Sequence, residues 1–213
     1  MFDKKITIID YDCGNILNLV RAIKFLGYET VITRDEKKII NSSNVILPGV
    51  GAFGNAMQQL EKYNLHNIIL EYAKLNKPLL GICLGMQILL TTGYEFGVHK
   101  GLGLIEGEVI KISNKKNQKI KVPHVGWNEI YPNNDKKKWK NKILNNYLIG
   151  KNFYFVHSFA CLTKNPTSTI AICNYSGISI AAIISINNIF GCQFHPEKSA
   201  GDGLVILKNF CEI

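Results

Sequence analysis

The sequence predicts a single α/β domain: a mixed, mostly parallel sheet with helices packed on both faces. Three observations lead there. Short apolar runs of strand length alternate with segments of helical spacing through the first half of the chain. Strand patterns crowd the second half, and a last helical pattern closes it. No internal repeat or long linker divides residues 1–213, so one domain is expected over 1–213.

The elements follow in order. Lys5 to Ile9 reads as a buried strand. Asn15 to Leu26 carries Ile16, Leu17, Val20, Ile23 and Leu26 at roughly helical spacing, with Gly27 as its stop. Thr30 to Thr33 and Val45 to Leu47 are short strands. Phe53 to Leu60 and Leu65 to Leu75 are helical. Pro78 to Ile82 is an apolar strand, followed by a helix from Leu84 to Leu90. Strands are then expected at Gly107 to Ile112, Lys121 to His124, Phe153 to Cys161, Ser168 to Tyr175, Ile180 to Ser185 and Ile189 to Phe194. The last helix is Gly203 to Cys211.

Composition narrows the function classes. Hydrophobic residues make up 46% of the chain, enough for a substantial core. No apolar run reaches the roughly 18 residues of a membrane span, and Ile6 to Ile9 is too short for a signal-peptide core, so a cytoplasmic protein is expected. The net charge of +9 comes from lysines set among asparagines, chiefly at 114–121 and 133–146. These read as solvated loops without the interleaved aromatics of a nucleic-acid surface. Six cysteines include no C-x-x-C pair, so reduced thiols and no metal site are expected. His124 and His157 read as structural rather than as ligands.

Three segments carry chemistry. Gly81-Ile82-Cys83-Leu84-Gly85, between a strand and a helix, has the pattern of a nucleophile elbow with Cys in place of Ser. Glycines flank a turn too tight for side chains, the thiol stands at a helix start that favours a thiolate, and the Leu84 N–H points where an oxyanion would form. The alternative is a buried cysteine beside packing glycines. A thiolate that forms an acyl intermediate needs a base, and the base an orienter. His195 and Glu197 supply them: side chains two apart on a strand share a face, and Pro196 ends sheet pairing between them. Alone, H-x-E would read as a surface histidine beside an acid. Pro48-Gly49-Val50-Gly51 follows a strand, so an N–H from Val50 or Gly51 could complete an oxyanion hole with Leu84, although an ordinary βα turn looks the same.

Together these segments resemble the class I glutamine amidotransferases. Within them the chain is similar to the glutaminase subunits of imidazole glycerol phosphate synthase over nearly its whole length. The matching runs are Ile9-Asp10-Tyr11 with Gly14-Asn15, Leu47 to Phe53, Gly81 to Gln87, Val122 to Asn128, Phe153 to Ser158, and Gln193 to Ser199. The resemblance implies the family's three-layer fold, a Cys83–His195–Glu197 triad, and hydrolysis of L-glutamine to glutamate and ammonia without a cofactor. It also implies that Gly49, Gln87, Glu95, Ser158 and Phe159 meet bound glutamine. Asn15, Trp127, Tyr154 and Lys198 would face a (β/α)8 cyclase subunit in a heterodimer. Ammonia would cross that interface to make imidazole glycerol phosphate and AICAR in histidine biosynthesis. Two positions depart from the pattern: Cys13 stands where a small or apolar residue is usual, and Phe159 replaces a frequent tyrosine. Two other readings stay open. One is a paralogous glutaminase subunit that feeds a sugar amidotransferase of surface-polysaccharide synthesis, and the other is a freestanding cysteine hydrolase.

Overall fold

The computed structural model describes residues 5–113, 120–133 and 138–213. The first half runs β1 (Lys5–Ile9), α1 (Ile16–Phe25), β2 (Glu29–Thr33), α2 (Glu36–Asn41), β3 (Asn44–Leu47), α3 (Phe53–Lys62), α4 (Leu65–Lys74), β4 (Leu79–Ile82) and α5 (Leu84–Gln87). The second half runs β5 (Leu90–Gly93), β6 (His99–Lys100), β7 (Ile105–Lys111), β8 (His124–Glu129), β9 (Tyr131–Pro132), β10 (Asn152–His157), β11 (Phe159–Thr163), β12 (Thr169–Tyr175), β13 (Ile178–Ile186), β14 (Ile189–Cys192) and α6 (Ala200–Cys211). Among the described residues, no helix is long and apolar enough to cross a membrane.

The central sheet has eight strands in the order β2-β1-β3-β4-β14-β13-β12-β9. β2 through β14 run parallel, and β13, β12 and β9 alternate in direction beyond them, so the sheet is mixed as expected. Strand alternation splits its apolar residues between two cores. Ile6, Ile8, Ile46, Leu80 and Ile82 pack with Leu19 and Ile23 of α1 and Ile206, Leu207 and Phe210 of α6. Ile9, Val45, Leu47 and Leu79 pack on the other face with Ile39 of α2, Met57 and Leu60 of α3, and Ile69 and Tyr72 of α4. This is the helix–sheet–helix layering that the β-α alternation predicts. Two small sheets, β10-β8 and β11-β7-β5-β6, flank it.

Several expected elements are corrected. The helix expected from Leu84 to Leu90 stops at Gln87, and Leu90 opens β5. Ile88 and Leu90 carbonyls accept from Leu102 and Gly103, so non-local pairing claims a run that periodicity alone assigns equally to helix or strand. Phe153 to Cys161 is two strands rather than one. β10 pairs with β8 and β11 with β7, and the chain changes sheets at Ser158, whose carbonyl accepts from Ile112 N–H at 2.9 Å. The strand expected at Lys121 to His124 instead begins at His124 and runs to Glu129, because Pro123 has no N–H to give a ladder. α2 was not expected, although Asp35 caps it by accepting from Lys38 N–H at 2.8 Å. The lysine-rich stretches at 114–119 and 134–137 lie outside the described residues. The rest of 133–146 is not all solvated loop, since Trp139, Ile143 and Leu144 are buried in the core.

Candidate active site

Cys83 stands at the carboxyl end of β4 with φ +53° and ψ −110°, a strained positive-φ conformation outside the left-handed helical well that a tight strand-to-helix corner imposes on a non-glycine residue. Its N–H donates to the Cys192 carbonyl at 2.7 Å, which ties the corner to β14. The flanking glycines are explained by close approach. A Cβ on Gly81 would stand 2.6 Å from the Gly85 carbonyl oxygen, and one on Gly85 would fall onto the Leu47 carbonyl oxygen. α5 has a single turn, so its macrodipole is small, and the local N–H groups matter more than the helix-start effect expected from the sequence.

His195 follows β14. Its backbone N–H donates to the Tyr154 carbonyl at 3.0 Å, and its own carbonyl accepts from Ser199 Oγ at 2.7 Å. The chain does not continue as a strand, so alternation does not pair His195 with Glu197. Instead a 3-10 turn, Pro196–Lys198, folds Glu197 back under the ring. His195 Nδ1 donates to Glu197 Oε1 at 2.8 Å, and both side chains are buried. A carboxylate can only accept, so this bond places the proton on Nδ1 and leaves Nε2 for chemistry. Nε2 is buried and has no hydrogen-bond partner among the described residues. Burial pulls the His195 pKa down, but Cys83 and Glu197 outweigh it and hold the pKa above the ordinary histidine value.

Cys83 and His195 open onto one cavity of about 380 Å³, together with Val50, Gly51, Leu84, Gln87, Glu95, Ser158 and Phe159. Nine of the residues expected at the site therefore line one space. Gly49 lies just beneath it, and Glu197 sits behind His195 in a small crevice shared with Asn15 and Gly49. Gln87 Nε2 donates to the Phe159 carbonyl at 3.1 Å and to Gln193 Oε1 at 3.0 Å, so its free polar atom is Oε1, an acceptor. Glu95 Oε2 accepts the Phe53 N–H at the start of α3 at 2.8 Å, which anchors that carboxylate at the cavity wall.

The glycine turn after β3 is in a closed arrangement. The Gly49 carbonyl accepts from Leu84 N–H at 3.3 Å, and Val50 N–H donates to the Cys13 carbonyl at 2.9 Å. Both bonds belong to one peptide unit, which presents an acceptor, not a donor, to the corner. Both N–H groups expected as oxyanion donors at Val50 and Leu84 are thus occupied. Gly51 has φ +107°, which favours glycine.

Of the residues expected to face a partner, Trp127 and Tyr154 pack edge to face at 6.1 Å, with Lys198 Nζ 5.9 Å from the Tyr154 ring centre. Trp127 is about half exposed, and Val125, two residues earlier on β8, is exposed too. His124 and His157 form a buried pair. His157 Nδ1 donates to the Phe159 carbonyl at 2.8 Å, and His157 Nε2 accepts from His124 Nδ1 at 3.0 Å. Phe155 and Tyr175 stack on His124 at 4.9 and 3.9 Å. Gln193, fully buried and in contact with Cys83, drew no separate attention in the sequence; its neighbour relations cross more than a hundred residues and leave no local pattern.

A family model described as glutamine amidotransferase class-I matches residues 7–213. The chain is 47% identical to the imidazole glycerol phosphate synthase subunit HisH of Lactococcus lactis subsp. lactis (strain IL1403), covering 98% of each chain. It is 40% identical to the imidazole glycerol phosphate synthase subunit HisH 1 of Legionella pneumophila (strain Lens), covering 98% of this chain and 99% of that one. Its fold is similar to the solved structure of PurLQS from Thermotoga maritima, with a TM-score of 0.74 at 18% identity over 98% of both chains.

Proposed function

The chain belongs to the class I glutamine amidotransferases, and on that premise we propose that it is the glutaminase subunit of an imidazole glycerol phosphate synthase. It hydrolyses L-glutamine and passes the ammonia to a (β/α)8 cyclase partner in a heterodimer, within a single domain over residues 1–213. The observation that carries this is the strained Cys83 corner opening onto the same cavity as an imidazole whose far nitrogen is held by Glu197.

The steps follow from the groups present. The Cys83 sulfur attacks the side-chain amide carbon of glutamine, and the carbonyl electrons move to oxygen. His195, protonated at neutral pH by its raised pKa, gives its Nε2 proton to the departing nitrogen, and ammonia leaves behind a thioester. Neutral again, His195 takes a proton from water. The hydroxide adds to the thioester, the C–S bond breaks with its electron pair returning to sulfur, and glutamate departs. Glu197 stabilises the imidazolium and fixes its tautomer. The Glu95 carboxylate and the free Gln87 Oε1 suit the α-ammonium group of glutamine. Ser158 and Phe159 line the same wall, and Gly49 leaves room beneath the corner. A cavity of about 380 Å³ accommodates an amino acid of that size.

The closed turn supports a partner-gated oxyanion hole. Rotating the Gly49–Val50 peptide by about half a turn, through ψ of Gly49 and φ of Val50, would release Leu84 N–H, withdraw the Gly49 oxygen and aim Val50 N–H at the corner. A gained oxyanion donor is worth about 3–4 kcal/mol in the transition state. Such a gate keeps the glutaminase slow until the partner is ready to use ammonia. Transfer across the interface near Trp127, Tyr154, Lys198 and Asn15 keeps ammonia neutral and nucleophilic.

The test is glutamate release with and without the cyclase subunit and its nucleotide ligand. Strong stimulation by that subunit, abolished by Cys83→Ala while ammonia-dependent synthesis persists, is expected. Stimulation by a sugar amidotransferase instead would assign the paralogous pathway, and rapid turnover without any partner would assign a freestanding hydrolase.

A further inference from the structure

We propose that Gln193 is a positioning residue for Cys83, presenting an amide N–H to the sulfur and favouring its reactive, anionic form. The proposal rests on the reading of Cys83 as nucleophile. Gln193 is fully buried, with Oε1 3.0 Å from Gln87 Nε2 and Nε2 3.9 Å from Cys83 Sγ.

Which end of an amide faces a neighbour is often ambiguous, but a chain of donors decides it here. The chain ends on the Phe159 backbone carbonyl, which can only accept. Gln87 Nε2 lies 3.1 Å from that carbonyl, so the Gln87 NH2 group must point there. The second N–H of that group meets Gln193, which therefore offers its oxygen. The Gln193 NH2 group is left to face the sulfur. Turning Gln193 over would set two NH2 groups against each other in a buried site and leave both short of an acceptor. The terminal carbonyl is itself fixed, since His157 Nδ1 also donates to it at 2.8 Å.

A donor aimed at sulfur stabilises the thiolate more than the thiol. It assists twice: when the thiolate is present before attack, and when the C–S bond breaks and the electron pair returns to sulfur. The Val156 carbonyl, 4.0 Å away, can only accept from the sulfur; the titratable groups that act on the sulfur are His195, Tyr11 and Cys161, and Gln193 is the amide donor beside them.

The test reads Cys83 alkylation by iodoacetamide in the full-length chain across pH, with the modified peptide quantified by mass spectrometry. In Gln193→Met, which keeps the bulk and loses the donor, the pH midpoint should rise by about one unit and alkylation at neutral pH slow about tenfold. Partner-stimulated kcat should fall by a similar factor, with KM within about twofold. Gln193→Glu, nearly isosteric, should raise the midpoint further by placing a carboxylate at the sulfur. Should either variant fail to unfold cooperatively, the parent protein supplies the readout. With 15N labelling, the Gln193 side-chain amide signals should follow the Cys83 titration and lose that response in Cys83→Ala. A Gln193→Met midpoint matching the parent, or amide signals indifferent to the thiol, would overturn the proposal. Alkylation requires no turnover, so the outcome is separate from the nucleophile reading, which fails only if Cys83→Ala keeps glutaminase activity.

Discussion

Val50→Gly should raise the glutaminase rate of the isolated chain. Val50 has an ordinary negative φ in the closed turn, and turning the Gly49–Val50 peptide by about half a turn carries φ at Val50 to the positive side. A residue with a Cβ pays about 1–2 kcal/mol there, and a β-branched one more. Two hydrogen bonds, from Val50 to Cys13 and from Leu84 to Gly49, add about 0.5–1.5 kcal/mol each in favour of the closed state. Glycine at residue 50 removes the steric part alone. The open population, and with it the partner-free rate, should rise about 5- to 30-fold. Val50 is 43% exposed, so little packing is lost and the thermal midpoint should move little. Glutamate release is measured without and with the partner; the stimulated rate should change far less than the basal one. A basal rate unchanged or lowered, in a variant that still unfolds cooperatively, would refute the idea that the peptide holds the site shut.

Three further outcomes are expected. Glu197→Gln can donate to His195 Nδ1 and force the wrong tautomer, so kcat should fall about 10²- to 10⁴-fold while glutamine affinity, read from KM, changes little. Gly85→Ala drives a Cβ onto the Leu47 carbonyl and should cost about 1–3 kcal/mol or more, read from denaturant unfolding, whereas Gly27→Ala, with open space around it but φ +88°, should cost less. The buried His124–His157 pair is neutral in the fold, its pKa values pushed down to about 4 by burial. The unfolded chain takes up these protons near pH 6.5 and the folded chain only near 4, so stability should fall as pH drops through that window. His195 has the opposite sign: its contribution is present below the unfolded value and is lost as pH rises through its raised folded pKa. Thermal midpoints across pH check this, and His157→Gln should shrink the acid-side fall; an equal fall in that variant contradicts it.

The sequence made the elbow legible because its cause is local. Gly81 and Gly85 flank a corner where backbone meets backbone, and no other residue type fits. The middle of the parallel half was legible for a similar reason: β3, β4 and β14 are short apolar runs buried along their whole length. What stayed hidden depends on partners distant in sequence. Leu90 became strand because Gly103 and Ile105 lie beside it, and Phe153 to Cys161 split because two different strands claim its halves. Glu197 reaches His195 through a 3-10 turn rather than strand alternation, so the expected pairing is met by a different route. The state of the Gly49–Val50 peptide leaves no trace in the sequence, since a glycine-rich turn permits both orientations. Gln193 was invisible because its orientation is set by Gln87 and Phe159, which lie in other strands and helices.

The most direct measurement uses an electrophilic analogue of glutamine, with a diazoketone or chloroketone at the side-chain carbonyl, added to the chain with its partner. Peptide mapping then locates the adduct among the six cysteines. One adduct on Cys83, formed faster when the partner holds its ligand and competed away by glutamine, is the predicted result. Labelling of Cys13, Cys161, Cys173, Cys192 or Cys211 instead, or none that glutamine protects, would contradict a glutaminase built around Cys83 and His195.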